Sequence, residues 1–426
     1  MATVGVWTGT EVQALRLALR MNQAEFAALV GVRERSVRRW EKHESPVGRF
    51  NANVLDGLLA EASEQVLGAY RRIRDRIAGE EDTDVNRRTL FKSSAAGAAA
   101  LAALGLSGDA AERISWLMSG TGRPDMHGVD LVRGTLHQAM LLDDAMGSPA
   151  AQGMVIAQQA LTEAMVKEAA PALRPHLVAL DAEMIGFAGC LAWDVGDRVT
   201  ANRLYGLARD KAHDADDSDI RAYMHCHLSQ LALADRRTRD AVNDAIAARA
   251  AVSQSSDHRL RAYVEMRVAE AAATDGQGRF CAAALNAAEK ALELAHAEKE
   301  VGPERSRAYF ATSALLESYR GWCWSLLGEP DRAVEATRAA VAMIDPRRTR
   351  DRAMMLLELE RAYLQLGDIA GAAAAVSDAL DLTDRNRSPR LATAIMQGRQ
   401  LLTPWGNSSP VRELDAALTA RDMVLV

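Results

Sequence analysis

Five turn positions, Gly196, Arg236, Gly276, Gly328 and Gly367, divide the chain into intervals of 40, 40, 52 and 39 residues. A period of this length marks an array of paired-helix units, each of which buries its apolar face only against its neighbours. Five residues after each turn stand Ala201, Ala241, Cys281, Ala333 and Ala372, and twelve residues after each stand Ala208, Ala248, Ala288, Ala340 and Ala379. Small side chains thus recur where two helices must touch. Trp324 and Tyr363, four residues before the last two turns, are the large residues expected to fill the gap within a pair. Aromatics make up only 5% of a chain that is 49% hydrophobic, which favours close-packed helices over sheets. The expected fold class is all-α. The longer interval before Gly328 implies an insertion around KEVGPERSR, residues 299–307, and such insertions map to loops.

The segments WSLLGEPDRAVEATRAAVAMIDP (324–346) and YLQLGDIAGAAAAVSDALDL (363–382) resemble tetratricopeptide repeats, and three degenerate units precede them. The resemblance implies a superhelix, a tetratricopeptide-like α-solenoid over residues 126–426, whose groove is lined by the first helix of each pair. Counting back from the turns nominates Tyr223, Gln230, Tyr263, Glu270, Trp322 and Arg361 as ligand-binding positions in that groove. The competing reading of each is ordinary surface or inter-repeat packing.

The amino-terminal segment has a different pattern. Val12, Leu15 and Leu19 recur at helical spacing, a polar break follows at Met21-Asn22, and Phe26 and Leu29 mark a short second helix that Gly31 ends. In residues 33–42 five of ten positions are Lys or Arg. On a helical wheel Val37 and Trp40 share one sector with Glu41 at its margin, while Arg35, Arg38, Arg39 and Lys42 occupy the opposite arc. Arg33 falls in the first turn. Two short amphipathic helices about a glycine turn are the parts of a helix-turn-helix, whose second helix enters the DNA major groove. A further apolar helix is expected over Val54 to Leu67, after a loop marked by Pro46.

Gln23, Glu25, Phe26-Ala27, Gly31, Ser36, Val37 and Trp40-Glu41 together resemble the Xre/Cro/C1 family of helix-turn-helix regulators. The resemblance implies that Gln23 and Ser36 touch backbone phosphate, that Arg33, Glu34, Arg35 and Arg39 face base edges, and that Arg16 pairs with buried Glu41. His43 departs from the pattern, since many members carry Gly there. The expected DNA-binding set is therefore Gln23, Arg33, Glu34, Arg35, Ser36, Arg38, Arg39 and Lys42 within a domain of residues 1–78.

Charge makes any DNA-binding role local. The net charge is −6, and because residues 11–50 hold eight basic and five acidic residues, the rest of the chain stands at −9. Only six of the 51 basic residues are Lys, so Arg abundance by itself says little. The linker, residues 79–125, opens on the acidic GEEDTD and continues as VNRRTLFKSSAAGAAALAALGL, which looks like a twin-arginine export signal. Its position behind a complete folded unit favours an Ala-rich docking helix. No uncharged apolar run reaches the ~18 residues needed to span a bilayer, so a cytoplasmic protein without a membrane partner is expected. The four cysteines are far apart and form no CxxC pair. His225 and His227 project about 200° apart on a helix and cannot readily share an ion. DADDSD (214–219) lacks the Gly and terminal Glu of a calcium loop and reads as an inter-repeat turn. No metal, cofactor or enzymatic activity is expected.

These features predict a sequence-specific transcription regulator, a homodimer on a double-stranded DNA operator, whose repeats sense a peptide or protein effector. Its rival is a scaffold tethered to promoters with a protein partner as effector, and a small-molecule sensor stands third.

Overall fold

The structure is a computed structural model that describes residues 7–42, most of 47–74, 124–297, 306–386, 388–421 and 423. The chain divides into two compact units, Met1–Gly97 and Ala98–Val426. The described secondary structure is helical throughout. GEEDTD and the twin-arginine-like segment fall outside the described residues, as do His43 and Pro46.

In the first unit, α1 (Gly9–Ala18), α2 (Gln23–Val30), α3 (Glu34–Glu41) and α4 (Arg49–Ala60) surround a core of Val12, Leu15, Phe26, Val30, Val37, Trp40, Leu55 and Leu59. Local chemistry fixes α2 at both ends. Asn22 accepts from the Glu25 backbone amide at 2.9 Å while the Glu25 carboxylate accepts from the Asn22 amide at 2.8 Å, a reciprocal cap. At the other end Gly31 adopts φ 79°, and the Val32 amide donates to the Ala27 carbonyl at 2.9 Å, so the chain turns sharply into α3.

Three expectations need correction here. Leu29 is 43% exposed and Val30 takes the core position, because α2 is too short for both to face inward. Arg33 caps α3 instead of lying in its first turn. The helix expected over Val54 to Leu67 is interrupted at residues 62–63: α4 spans Arg49–Ala60, and in the helical stretch described from Val66 the Val66 amide donates to the Ser63 hydroxyl.

In the second unit, α5 (Met126–Met146) and α6 (Ser148–Glu168) precede five helix pairs. These are α7 (Arg174–Asp194) with α8 (Arg198–Asp214), α9 (Ser218–Ala234) with α10 (Thr238–Ala251), α11 (His258–Thr274) with α12 (Gly278–Ala297), α13 (Ser313–Leu326) with α14 (Pro330–Met343), and α15 (Thr349–Leu366) with α16 (Ile369–Asp381). α17 (Pro389–Leu401) and α18 (Ser409–Thr419) follow. All five turn positions inferred from the sequence are left-handed, with φ of 88°, 59°, 72°, 77° and 74° in chain order. All ten residues of the two small-residue columns have 0% exposure. Gly321 allows the closest approach within a pair: a Cβ there would lie 3.1 Å from the Ala333 carbonyl oxygen and collide with the Thr337 hydroxyl. α7 has the length and mean hydropathy, 1.3, of a membrane-crossing segment, but 67% of that window is buried in the repeat core.

The array closes on itself. The Arg350 guanidinium at the start of α15 reaches Asp143 at 2.9 Å and Asp144 at 3.2 Å at the end of α5, and Asp194 at 3.5 Å at the end of α7. Ser388, capping α17, donates to Asp194 at 2.6 Å, and the Asn386 amide donates to the Asp144 carbonyl at 3.0 Å. Burial works against the Arg350 cation, but Asp143, Asp144 and Asp351 outweigh it and hold its pKa above the ordinary value.

Candidate functional site

Two surfaces carry the residues singled out by sequence. The first is α3, which is held from below by a buried carboxylate. Glu41 accepts from Arg16 Nε at 2.6 Å, from Arg16 Nη2 at 3.2 Å and from Gln23 Nε2 at 2.6 Å. Arg16 also donates to the Met21 carbonyl at 3.0 Å. One anion therefore ties the end of α3 to α1 and to the start of α2. Val37 and Trp40, at 0% and 5% exposure, pack beneath the helix.

Arg33, Arg35, Arg38, Arg39 and Lys42 are exposed on the outer arc, and Ser36 is half-buried beside them. Glu34 pairs with Arg38 across one turn at 3.0 Å, which sets the direction of that guanidinium and places a negative charge beside it. Gln23 has a structural contact besides the phosphate contact that resemblance implies for it. Its amide nitrogen donates one hydrogen bond to Glu41, which braces α3 and leaves the amide a second N–H.

The second surface is the row of first helices, α7, α9, α11, α13 and α15. Here the nominated residues separate into two groups. Glu270, Trp322 and Arg361 come together: the Trp322 indole donates to Glu270 Oε1 at 3.2 Å, and the Arg361 guanidinium lies 5.2 Å from the Trp322 ring centroid. Arg267, which sequence reasoning passed over, lies beneath them at 1% exposure, paired with Glu270 and donating to the Tyr319 hydroxyl at 3.0 Å. Gln230 is half-buried on α9.

Tyr223 and Tyr263 are not open groove residues. They are 8% and 4% exposed, because residues 306–312 of the insertion cross the first helices and cover them. Phe310 stands 6.3 Å from Tyr223 and, edge-on, 5.0 Å from Tyr263. Polar anchors run along the same strap. Ser306 donates to both oxygens of Asp257 at 2.7 and 2.9 Å, Arg307 donates to Asp217 at 2.8 Å, and Tyr309 donates to Asp144 at 2.6 Å. Arg259 in turn donates to the Ala311 carbonyl at 2.8 Å. The sequence located this insertion, but no local pattern reveals that it folds inward.

His225 and His227 face apart, as their spacing required. His225 pairs with Asp244 of α10 at 2.8 Å, whereas His227 stacks on Tyr205 with centroids 4.9 Å apart. Burial pushes the His227 pKa down to about 3, so that ring stays neutral. DADDSD forms the turn between α8 and α9, where Asp217 caps α9 through the Ile220 amide at 2.9 Å.

The described residues define a class: a small unit of short helices, two of them joined by a tight glycine turn, and a second unit built of stacked helical hairpins. No family model matches the sequence, and no curated protein matches it. Among solved structures, the chain is similar to one described as a Rap protein complexed with competence and sporulation factor. The two are 16% identical with a TM-score of 0.48, over 80% of this chain and 88% of that one.

Proposed function

We propose that this protein is a sequence-specific DNA-binding regulator whose repeat unit responds to an effector, a peptide in the first instance. The observation that carries this reading is α3 itself. Its apolar side is locked by Val37, Trp40 and the Arg16–Glu41–Gln23 cluster, while Arg33, Arg35, Arg38, Arg39 and Lys42 remain exposed on the other. A rigid helix with one cationic face suits the major groove, where Arg pairs with guanine and backbone contacts set the register. Ser36 beside the arginines suits a phosphate contact. A single such corner covers only a half-site, so the protein is proposed to act as a homodimer on a two-fold operator.

For the effector, Glu270, Trp322 and Arg361 supply a charged and aromatic patch on the first helices, with Gln230 further along and Tyr223 and Tyr263 beneath the strap. Selection of DNA sequences by the full chain tests the first half of the reading. Arg35→Ala or Arg39→Ala should then lose about 1–3 kcal/mol on the selected site and relax preference at one base position. Equal losses on selected and random DNA exclude base reading. The second half is tested by titrating the operator with and without candidate peptides or cell extract, where coupling is expected to be about 5- to 150-fold. Trp322→Ala should change that response and leave the ligand-free affinity alone.

A further inference from the structure

The interval that ends at Gly328 is 52 residues long where its neighbours are 40 and 39, so the repeat pattern itself does not require the extra chain. The last part of that insertion, SRAYFAT (306–312), runs as turns without helix or strand and lies across α9 and α11. It is held mainly by side chains, taken in order along the segment. The Ser306 hydroxyl goes to Asp257, the Arg307 guanidinium to Asp217, the Tyr309 hydroxyl to Asp144, and the Phe310 ring to Tyr223 and Tyr263. Backbone joins at two points, where the Arg307 amide donates to Asp257 at 3.2 Å and the Ala311 carbonyl accepts from Arg259 at 2.8 Å. This is how a helical-repeat groove holds an extended peptide, with pockets for successive side chains.

The groove also specifies what has to sit in it. Glu183, Asp217, Asp219 and Asp257 all act on one cation, Arg307. Without the strap these four acids would lose their shared counter-charge, and Tyr223 and Tyr263 would lose their cover. An occupant that replaces the strap must therefore bring a guanidinium with aromatic rings two and three residues further on. One flank of the strap is open to it: a cleft of about 710 Å³ runs beside Ser306, Arg307 and Tyr309, with Gly134 and His137 of α5 on the far side. The contact is also wired to the closure of the array. Asp144, the acceptor of Tyr309, lies 3.4 Å from Arg348 and 3.2 Å from Arg350, and the Arg348 guanidinium stands 5.7 Å from the Tyr309 ring centroid.

We propose that residues 306–312 are a built-in stand-in for a peptide effector, and that the surface beneath them binds a peptide of the same pattern, a guanidinium followed by two aromatic rings, by displacing the strap. The inference rests on the reading that the repeat unit takes a peptide, and it names the place and the side chains involved. Exchange of one for the other removes the Tyr309 bond from Asp144 and so reaches the junction of α5 with α15. The tethered strap competes at an effective concentration on the order of millimolar, which keeps weak or mismatched peptides out.

The test is calorimetric titration of full-length protein with the end-blocked heptapeptide SRAYFAT and with the same peptide carrying citrulline in place of Arg. Arg307→Ala combined with Phe310→Ala empties the two central pockets, and this variant should bind the heptapeptide at least tenfold more tightly than the wild type does. The citrulline peptide should bind it at least tenfold more weakly than the Arg peptide. Adding Asp217→Asn keeps an acceptor for the Ile220 amide at the start of α9 while removing the charge, and should weaken binding at least fivefold. Tyr309→Phe loses a single hydroxyl and is the second, milder variant, which should also bind more tightly than the wild type. If the double variant does not fold, Tyr309→Phe decides. A folded strap variant that binds no better than the wild type overturns the proposal, and so does equal binding of the citrulline and Arg peptides. An operator titration separates this from the wider reading. A heptapeptide that binds without changing operator affinity leaves the groove standing and removes the sensing role, whereas extract that changes operator affinity when no strap variant takes the peptide does the reverse.

Discussion

Arg236 occupies a turn where the equivalent residues of the other four pairs are glycines, and it holds φ 59° with an exposed side chain. A non-glycine residue in that conformation is strained by roughly 1–2 kcal/mol. Arg236→Gly should therefore raise stability by a net of about 0.5–1 kcal/mol once the added freedom of the unfolded chain is deducted, and the melting temperature with it. A melt that is unchanged or lower would mean the arginine side chain repays its strain. Glu360 is a second misfit. It is 1% exposed, neither carboxyl oxygen has a hydrogen bond, and burial pushes its pKa up to about 7. The folded state thus prefers the protonated acid. Its contribution is intact at acid pH and is lost as pH rises from the unfolded carboxylate range through about 7. Glu360→Gln should leave stability at pH 4 nearly unchanged and raise it at pH 8.5 by on the order of 2–3 kcal/mol. Denaturant unfolding at the two pH values checks the sign.

At the scale of elements, the small-residue columns were legible because the physics behind them is local and repeated. Two helices can approach closely only where side chains are small, so Ala, Cys and Gly mark each contact in sequence. The same holds for α3, whose buried and exposed arcs follow from helical periodicity. Leu29 was misassigned because periodicity alone cannot say which of two adjacent apolar residues a two-turn helix buries. The Gln23–Glu41 bond was not legible because the two residues lie 18 positions apart on different helices. That cluster supports its own prediction. Glu41→Ala leaves Arg16, 11% exposed at its side chain, without its carboxylate, which should cost about 3–5 kcal/mol. Hydrogen exchange of the α3 amides should quicken while exchange in the repeat unit stays as it was. Equal protection of α3 in both proteins would show that apolar packing alone positions the helix.

At the largest scale the sequence is least informative, because the contacts that decide the form of the repeat unit join residues far apart. Arg350 meets Asp143 across 207 positions and Asp194 across 156. Period and composition identify the hairpins but carry no record of where the two ends of the array come to lie. Replacing Arg350 by Met should strand Asp143 and Asp194 and cost about 3–5 kcal/mol, with earlier melting of the repeat unit and looser α5 and α17 by hydrogen exchange. An unshifted melt would make the ion cluster incidental to closure. Arrays of this kind are ordinarily open-ended, so whole hairpins can be gained or lost over evolutionary time while every remaining interface stays intact. Here the count is fixed by geometry: one hairpin more or fewer would carry Arg350 past its aspartates and leave Ser388 without Asp194. Length variation in such a chain is thereby confined to loops, and the stretch before α13 is one that has already grown.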